Sequence, residues 1–425
     1  MPDGQGGGYA YPECGERRQL PIRPLFGVRV RVRNAHNSYK PFGVVLILMT
    51  RRDFVASTAA AIPLAAAGRN EFRIYAGTYT RKGGKSKGIY VLKFDAASGK
   101  LSNADLAAET RDPSFLTIHP NRKHLYAVDE SADPKKGVGL SAFEMDAATG
   151  KLKKLNEVSS RGTSPCHLLV DHTGKNVVLA NYGSGSVAAF PLEADGRLKE
   201  AASFIQHEGS SVDPRRQKGP HAHSVNITPD NRFIFVADLG LDQVKVYRLD
   251  AAKCQLTPND PPFAKVRAGG GPRHFNLHPS LKYAYSNSEM GNAVTAFSFD
   301  KAKGVLTELQ YIPTVPADWK GVSHTAEVLC HPSGKFLYCS NRGHDSIAVF
   351  TIGSNGKLTS VEQTSTQGKT PRNFNIDPTG KYLLAANQDS DNIVVFSIDQ
   401  KTGKLKPTGQ SVDVGAPVCI KFMAL

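Results

Sequence analysis

An apolar strand, a short turn built on Pro, Asp or Gly, and a second apolar strand ending near Asn or Asp recur six times between Phe115 and Asn387. The copies read FLTIHPNRKHLYAV from Phe115, HLLVDHTGKNVVLAN from His167, HSVNITPDNRFIFVAD from His223, RHFNLHPSLKYAYSNS from Arg273, AEVLCHPSGKFLYCSN from Ala326 and RNFNIDPTGKYLLAAN from Arg372. An internal period of roughly 50 residues is the signature of propeller blades or stacked arrays. It excludes a single irregular fold.

The remainder of each repeat keeps a fixed order. After the hairpin come a loop, a third strand such as SVAAFPLE, QVKVYRLD, AVTAFSFD, SIAVFTIG or NIVVFSID, and a turn through GRL, CQL, GVL or GKL into a more polar fourth strand. Short strands separated by frequent turn signals, with no helical periodicity between them, predict four-stranded antiparallel blades. Pro in HP, TP and DP falls in the turn, where its fixed φ helps and no ladder donor is lost.

The chain ends set the blade number. The C-terminal APVCIKFMAL has the spacing of a first strand and then stops, whereas RIYAGTYT from Arg73 begins as a second strand with no first. Joined, they complete one more blade and remove two exposed sheet edges. The expectation is an all-β, seven-bladed β-propeller over residues 71–425, closed by a C-terminal strand that completes the N-terminal blade. An apolar content of 40% is ample for packing the sheets of one such domain.

The first 70 residues carry no repeat. Residues 49–68, MTRRDFVASTAAAIPLAAAG, place Arg51 and Arg52 before an Ala-rich, moderately apolar stretch with small residues at Ala65 and Ala67. This resembles a twin-arginine export signal, which is removed from a mature protein and is not a membrane span. Residues 1–48, rich in Gly, Pro and Arg, read as a leader in front of a translation start at Met49. The expected location is periplasmic if that signal operates and cytoplasmic otherwise.

Residues 1–68 hold nine Lys or Arg and four Asp or Glu, so they account for five of the formal +15 charges. The ring itself remains basic, which suits a small anionic ligand. Its Lys residues recur mainly in outer turns, and no basic stripe interleaved with aromatics points to nucleic acid. Six cysteines without a CxxC argue against structural zinc. Cys330 and Cys339 lie on one hairpin, and ordinary buried thiols are the favoured reading over a disulfide.

Chemistry is expected where the repeats stop being interchangeable, at the channel mouth. GPHAHS places His221 and His223 at the start of one first strand, and GGGPRHF places Arg273 and His274 at the next. SNSEMGN supplies Glu289, SNRGHDS supplies Arg342 and His344, and TPRNF supplies Arg372. A histidine before a strand is, taken alone, more often a packing residue than a base. Several charges converging on one mouth are costly without a ligand, and this favours function for the set. The longest break in the repeat, HEGSSVDPRRQKGPHAHS from His207, adds Arg215, Arg216 and Lys218 on a loop that reads as flexible or simply solvated.

The strings GPHAHS, GGGPRHFNLHP, CSNRGHDSIAVF and PRNFNIDPTGKYLLAANQDSDNIVVF are similar to those of the lactonase family of seven-bladed propellers. That family includes propeller-type 6-phosphogluconolactonases and a fungal 3-carboxymuconate lactonising enzyme. The resemblance covers residues 72–425 and implies a carboxylic-ester hydrolase with a pocket for a phosphorylated or carboxylated lactone and no metal or other cofactor. It further implies that a His, two Arg and a Glu act together, which by order and spacing fall on His221 or His223, Arg273, Glu289 and Arg342. SEMGNAV has fewer apolar residues than expected there, and Cys330 in a channel strand is a second departure.

Lactone hydrolysis needs an activated water and a stabilised oxyanion. His223, His221 or Glu289 are candidates for the base, and Arg273 or Arg342 for the charge clamp. Arg216, Lys218, His274, His344 and Arg372 are candidate substrate contacts, because guanidinium groups hold phosphate or carboxylate by paired hydrogen bonds. With no GxSxG elbow, an acyl-enzyme serine route is disfavoured. The expected partner is a small anionic lactone, best 6-phospho-D-glucono-1,5-lactone, acted on by a monomer. A non-phosphorylated lactone, a muconate-type cycloisomerisation and a non-catalytic binding scaffold are the alternatives.

Overall fold

The computed structural model describes residues 70–81, 84–132 and 138–425. The leader and the twin-arginine segment lie outside the described residues. Seven antiparallel sheets follow one another along the chain. Blade 1 combines Pro417–Ala424, Glu71–Thr78 and Gly88–Asp95 with an outer strand split into Lys100–Leu101 and Asp105–Glu109. Blades 2 to 7 span residues 116–159, 165–206, 222–265, 272–313, 324–365 and 371–413, each of four strands. The expected fold and the seam are therefore both present.

The seam has a defined register. Phe72 pairs with Ala424, Ile74 with Phe422, Ala76 with Ile420 and Thr78 with Pro417. The first strands of neighbouring blades pack on one another around a closed cycle that includes Pro417–Ala424. Apolar clusters fill the spaces between adjacent sheets. One holds Phe72, Ile74, Phe94 and Ile420 from blade 1 against Leu384, Ile393 and Val395 from blade 7. Burying such faces at roughly 25 cal/mol per Å² is the main force holding blade to blade.

Polar ties repeat between blades. The second-strand hydroxyls of Tyr75, Tyr126, Tyr285 and Tyr338 donate to the carbonyls of Gly150, Gly196, Gly356 and Gly403 in the next blade's outer turn, at 2.8–3.0 Å. Gly403 has φ 76°, and a Cβ there would lie 2.5 Å from the Phe336 ring, so both conformation and space require glycine. The HP histidines serve the same purpose, with Nε2 of His119, His278 and His331 bound to the carbonyls of Gly174, Gly334 and Gly380. These are structural groups at the opposite end from the mouth.

All five described cysteines are free thiols, as favoured by the sequence. Val328 faces Cys339 and Cys330 faces Leu337, so the two thiols are out of register on their hairpin.

Candidate active site

Strand alternation alone would put every second residue of a first strand on the channel. Six of the seven first strands break that rule where they enter the ring, with register shifts at Pro165–His167, Ala222–Ser224, Pro272–Phe275, Thr325–Val328, Pro371–Asn373 and Pro417–Cys419. A β-bulge inserts an extra residue and re-aims its side chain. Cys166, His223, Arg273, Ala326, Arg372 and Val418 occupy these insertions. His223, Arg273 and Arg372 consequently join one upper tier of charged groups, while His274 falls in a tier below.

The second strands contribute from the other side. At the end of five of them one residue reaches the mouth: Tyr79, Glu130, Tyr182, Glu289 and Arg342 stand at equivalent points of blades 1, 2, 3, 5 and 6. Glu289 is the hub. Its carboxylate lies 3.0 Å from each of Arg216 Nη2, Arg273 Nε and Arg342 Nη2, and 4.0 Å from His223 Nε2.

Burial opposes the charge on Glu289, yet Arg342, Arg273 and Arg216 together hold it well below the usual carboxylate range. It is ionised and weakly basic, a clamp for three guanidinium groups. Burial lowers Arg342 to about 10, which leaves it protonated at neutral pH. Arg342 Nη2 also donates to the Thr325 carbonyl at 2.9 Å, and Arg273 Nη1 to that of Ala326 at 2.6 Å. Arg273 Nε and Arg342 Nε are buried and make no hydrogen bond. The Glu289 contact at Arg273 Nε is thus one of charge without hydrogen-bond alignment.

A second carboxylate lies on the blade 1 and 2 side. Glu130 accepts from the Tyr79 hydroxyl at 2.8 and 2.9 Å and lies 3.9 Å from Arg372 Nη2. Arg372 and Arg81 both stand over the Tyr79 ring, at 5.4 and 4.4 Å. Although burial disfavours its charge, Tyr79, Glu130 and Glu289 hold the Arg372 guanidinium above its ordinary value. Four arginines thus surround two carboxylates.

The two histidines differ. His223 is buried, its Nδ1 3.7 Å from Cys166 Sγ, and burial followed by the Arg273 charge pushes it well below the ordinary imidazole value. His221 is half-buried at the mouth, stacked on Tyr182 with centroids 4.6 Å apart. Its Nδ1 donates to the Tyr182 carbonyl at 2.9 Å, so in the neutral ring Nε2 carries the lone pair.

His221 is held from behind. Asp238 accepts the His221 backbone N–H at 2.8 Å through Oδ1 and contacts His207 Nδ1 through Oδ2 at 2.5 Å; His207 in turn bonds the Tyr247 hydroxyl at 2.9 Å. The segment between His207 and His221, read from sequence as a flexible or simply solvated loop, is pinned to the ring. Gln217 is buried, donating to Leu239 O at 2.8 Å and accepting from Asp213 N at 3.0 Å, and Ser211 Oγ bonds Asp242 at 2.6 Å. That anchoring delivers Arg216 to Glu289 and to the Tyr182 hydroxyl at 2.9 Å, while Lys218 stays exposed.

The structure therefore brings together His221, His223, Arg216, Arg273, Glu289, Arg342 and Arg372. His274 is deeper, bonded to Glu327 at 2.7 Å. His344 sits on the outer rim, its Nδ1 2.6 Å from Ser346 Oγ and its ring against Trp319. Tyr79, Glu130 and Tyr182 were missed in the sequence. Aligning the residue after the Asn, Asp, Ser or Thr that closes each second strand would have found them. No group of three or more metal-ligating side chains occurs among the described residues.

Residues 73–422 match the family model described as Lactonase, 7-bladed beta-propeller. The 6-phosphogluconolactonase of Bacillus subtilis is 38% identical over 350 residues, 82% of this chain and 97% of that protein. That of Formosa agariphila is 34% identical, covering 80% of this chain and 96% of that protein. The solved structure of the Pseudomonas aeruginosa periplasmic gluconolactonase superposes with a TM-score of 0.78 at 35% identity, over 83% of this chain and 99% of that one. The chain belongs to the seven-bladed β-propeller lactonases and is a hydrolase of cyclic esters.

Proposed function

We propose that this protein opens the ring of 6-phospho-D-glucono-1,5-lactone to give 6-phosphogluconate, with His221 as general base. The observation that carries the reading is the excess of cation at one mouth, where, among the described residues, Arg216, Arg273, Arg342 and Arg372 make ion pairs with Glu289 and Glu130 alone. A phosphorylated, ester-containing substrate offers the negative charge that such a surplus requires. The 6-phosphogluconolactonase relatives support the same substrate.

In this reading His221 Nε2 takes a proton from water as the water oxygen attacks the lactone carbonyl carbon. Arg273 and Arg342, the guanidinium groups held by Glu289, stabilise the oxyanion of the tetrahedral intermediate. The ring C–O bond then breaks, and the His221 imidazolium returns its proton to the departing alkoxide. Arg216 and Arg372 are the phosphate contacts in this reading. Glu289 keeps the guanidinium groups oriented, and His223 packs behind them as a neutral ring.

A second reading is an exported gluconolactonase acting on the unphosphorylated lactone. It is favoured by the likeness to the Pseudomonas periplasmic enzyme and by the Arg51–Arg52 segment of a twin-arginine signal over residues 49–68. The pathway follows the substrate: sugar-phosphate oxidation for the first reading, extracytoplasmic aldose oxidation for the second. In both readings the protein acts as a monomer.

The deciding measurement is kcat/KM for phosphorylated and unphosphorylated gluconolactone, using protein that begins near Gly68, with cell fractionation of the native product. A preference of about tenfold or more for the phosphorylated lactone is expected, the scale of one charge-assisted contact. Equal or reversed preference, with the protein found in the periplasm, selects the second reading.

A further inference from the structure

The channel has a second chamber. One and three residues beyond the bulged positions, the first strands turn another set of side chains inward, and these line a cavity of about 330 Å³ at the end opposite the charged mouth. Its inner wall is His167, His274, Glu327 and Asn373, and its outer part includes Asn226 and Lys421. The proposed hydrolysis uses none of these groups.

Their hydrogen bonds fix what the chamber offers. Glu327 accepts from Val328 N at 3.0 Å and from Asn373 Nδ2, and faces His274 Nδ1 at 2.7 Å. With Glu327 ionised, the His274 proton sits on Nδ1, leaving Nε2 as an acceptor with no hydrogen-bond partner among the described residues. His167 has the opposite tautomer. Its Nδ1 accepts the Val225 N–H at 3.3 Å, so its proton is on Nε2, again with no protein partner, in a residue 8% exposed.

Two further donors lack partners. Asn226 Nδ2 is buried and makes no hydrogen bond. Lys421 Nζ lies 4.3 Å from the centroid of the Phe115 ring, and no carboxylate approaches within 4.0 Å of it among the described residues. A cation, two neutral N–H donors and one imidazole acceptor thus converge on one cavity, beside a Glu327 carboxyl already engaged by Val328 N, Asn373 and His274. Buried polar groups of this kind are costly unless something satisfies them.

We propose that this lower chamber is a binding site for a small hydroxy-carboxylate, whose carboxylate pairs with Lys421 and whose hydroxyl groups bond His167 Nε2, Asn226 and His274 Nε2. The composition selects this class. One free cation suits a single carboxylate, and alternating donors and acceptor suit hydroxyl groups, which do both. The site is separate from the arginine tier, so ligand binding here does not depend on which lactone is the substrate.

Titration calorimetry with sodium gluconate as probe tests this, with sorbitol as the charge-free and acetate as the hydroxyl-free counterpart. Lys421→Met and His167→Phe are expected to remove a gluconate-binding component, weakening it at least tenfold, while kcat/KM for lactone stays within twofold of wild type. Sorbitol and acetate should each bind at least tenfold more weakly than gluconate. If His167→Phe lowers the melting temperature, Asn226→Leu replaces it as the second variant, with the same expected loss. The proposal is overturned if the gluconate isotherms of the variants coincide with wild type. It is also overturned if Lys421→Met loses turnover and binding together, which would assign all gluconate binding to the arginine tier.

Discussion

The His221 ring lies face to face on the Tyr182 ring and donates through Nδ1 to the Tyr182 backbone carbonyl at 2.9 Å. One residue thereby fixes both the plane and the tautomer of the other, and in the proposed reaction Nε2 is the base. A general base held in this way contributes about 10² to 10⁴ in rate. His221→Gln should lower kcat/KM at least about 100-fold. The melting temperature should move little, because the backbone bond from His221 N to Asp238 survives the change. A loss below about threefold, measured by continuous lactone hydrolysis, would transfer the role to another group.

Arg342 and Glu289 should separate activity from stability. Arg342→Ala removes one guanidinium group of the proposed charge clamp but leaves Glu289 with Arg216 and Arg273 at 3.0 Å. Catalytic efficiency should fall about tenfold or more with only a modest change in melting temperature. Glu289→Gln, in contrast, leaves three guanidinium groups crowded together, Arg273 buried and Arg342 and Arg216 partly so, without their shared counter-charge. Breaking a buried ion pair from one side costs about 3–5 kcal/mol. Thermal unfolding of the two variants side by side checks the contrast, and equal melting temperatures would contradict it.

Glu327 gives the fold a pH dependence of unusual sign for a carboxylate. Burial raises it from 4.5 to about 7, against the opposing pull of Lys421, the Val328 N–H, Arg273 and Asn373, with neutral His274 and His167 beside it. Between those two values the folded state holds a proton that the unfolded chain has released. This contribution is therefore full below about 4.5, declines as pH rises, and is exhausted above about 7. The shift corresponds to about 3 kcal/mol at 1.36 kcal/mol per pH unit. Glu327→Gln should flatten the melting-temperature profile between pH 5 and 7.5, on the order of the interval just derived. An unchanged profile in the variant would remove Glu327 as its source.

The architecture was legible because it is written in a period. Turn residues and alternating strands repeat often enough that seven blades and the seam could be counted, and the C-terminal strand pairs with Glu71–Thr78 as expected. The site was legible in part, for the same reason. Residues that depart from the repeat, such as Arg273, Glu289 and Arg342, stood out against it. What simple alternation could not reveal were the bulges. Arg273 and His274 are consecutive and by period 2 belong on opposite faces, yet both enter the channel, at different depths. Tyr182 was overlooked because an aromatic after a strand looks like packing, although its carbonyl and hydroxyl orient His221 and Arg216.

Ring closure supplies the last prediction. Pro417–Ala424 is the innermost strand of blade 1, laddered to Glu71–Thr78 and packed between the first strands of blades 2 and 7. Its backbone is also tied across the blade boundary: Ile420 N donates to Asn373 Oδ1 at 2.9 Å and Ile420 O accepts from Asn375 Nδ2 at 2.8 Å. Val418, Cys419, Ile420 and Met423 are buried. Deleting residues 418–425 loses that burial, worth several kcal/mol at about 25 cal/mol per Å², from a total stability on the order of 5–15 kcal/mol. It also exposes the edge of Glu71–Thr78 and uncovers the inner edges of two neighbouring blades, which invites strand pairing between molecules. The truncated chain should aggregate or unfold without a cooperative transition, as measured by size-exclusion chromatography and calorimetry. Removal of residues 1–67 should leave folding and turnover intact, since the ladder begins at Glu71. A soluble C-terminal truncation with a single sharp melting transition would show that the seam strand is dispensable, and the closure argument would fail with it.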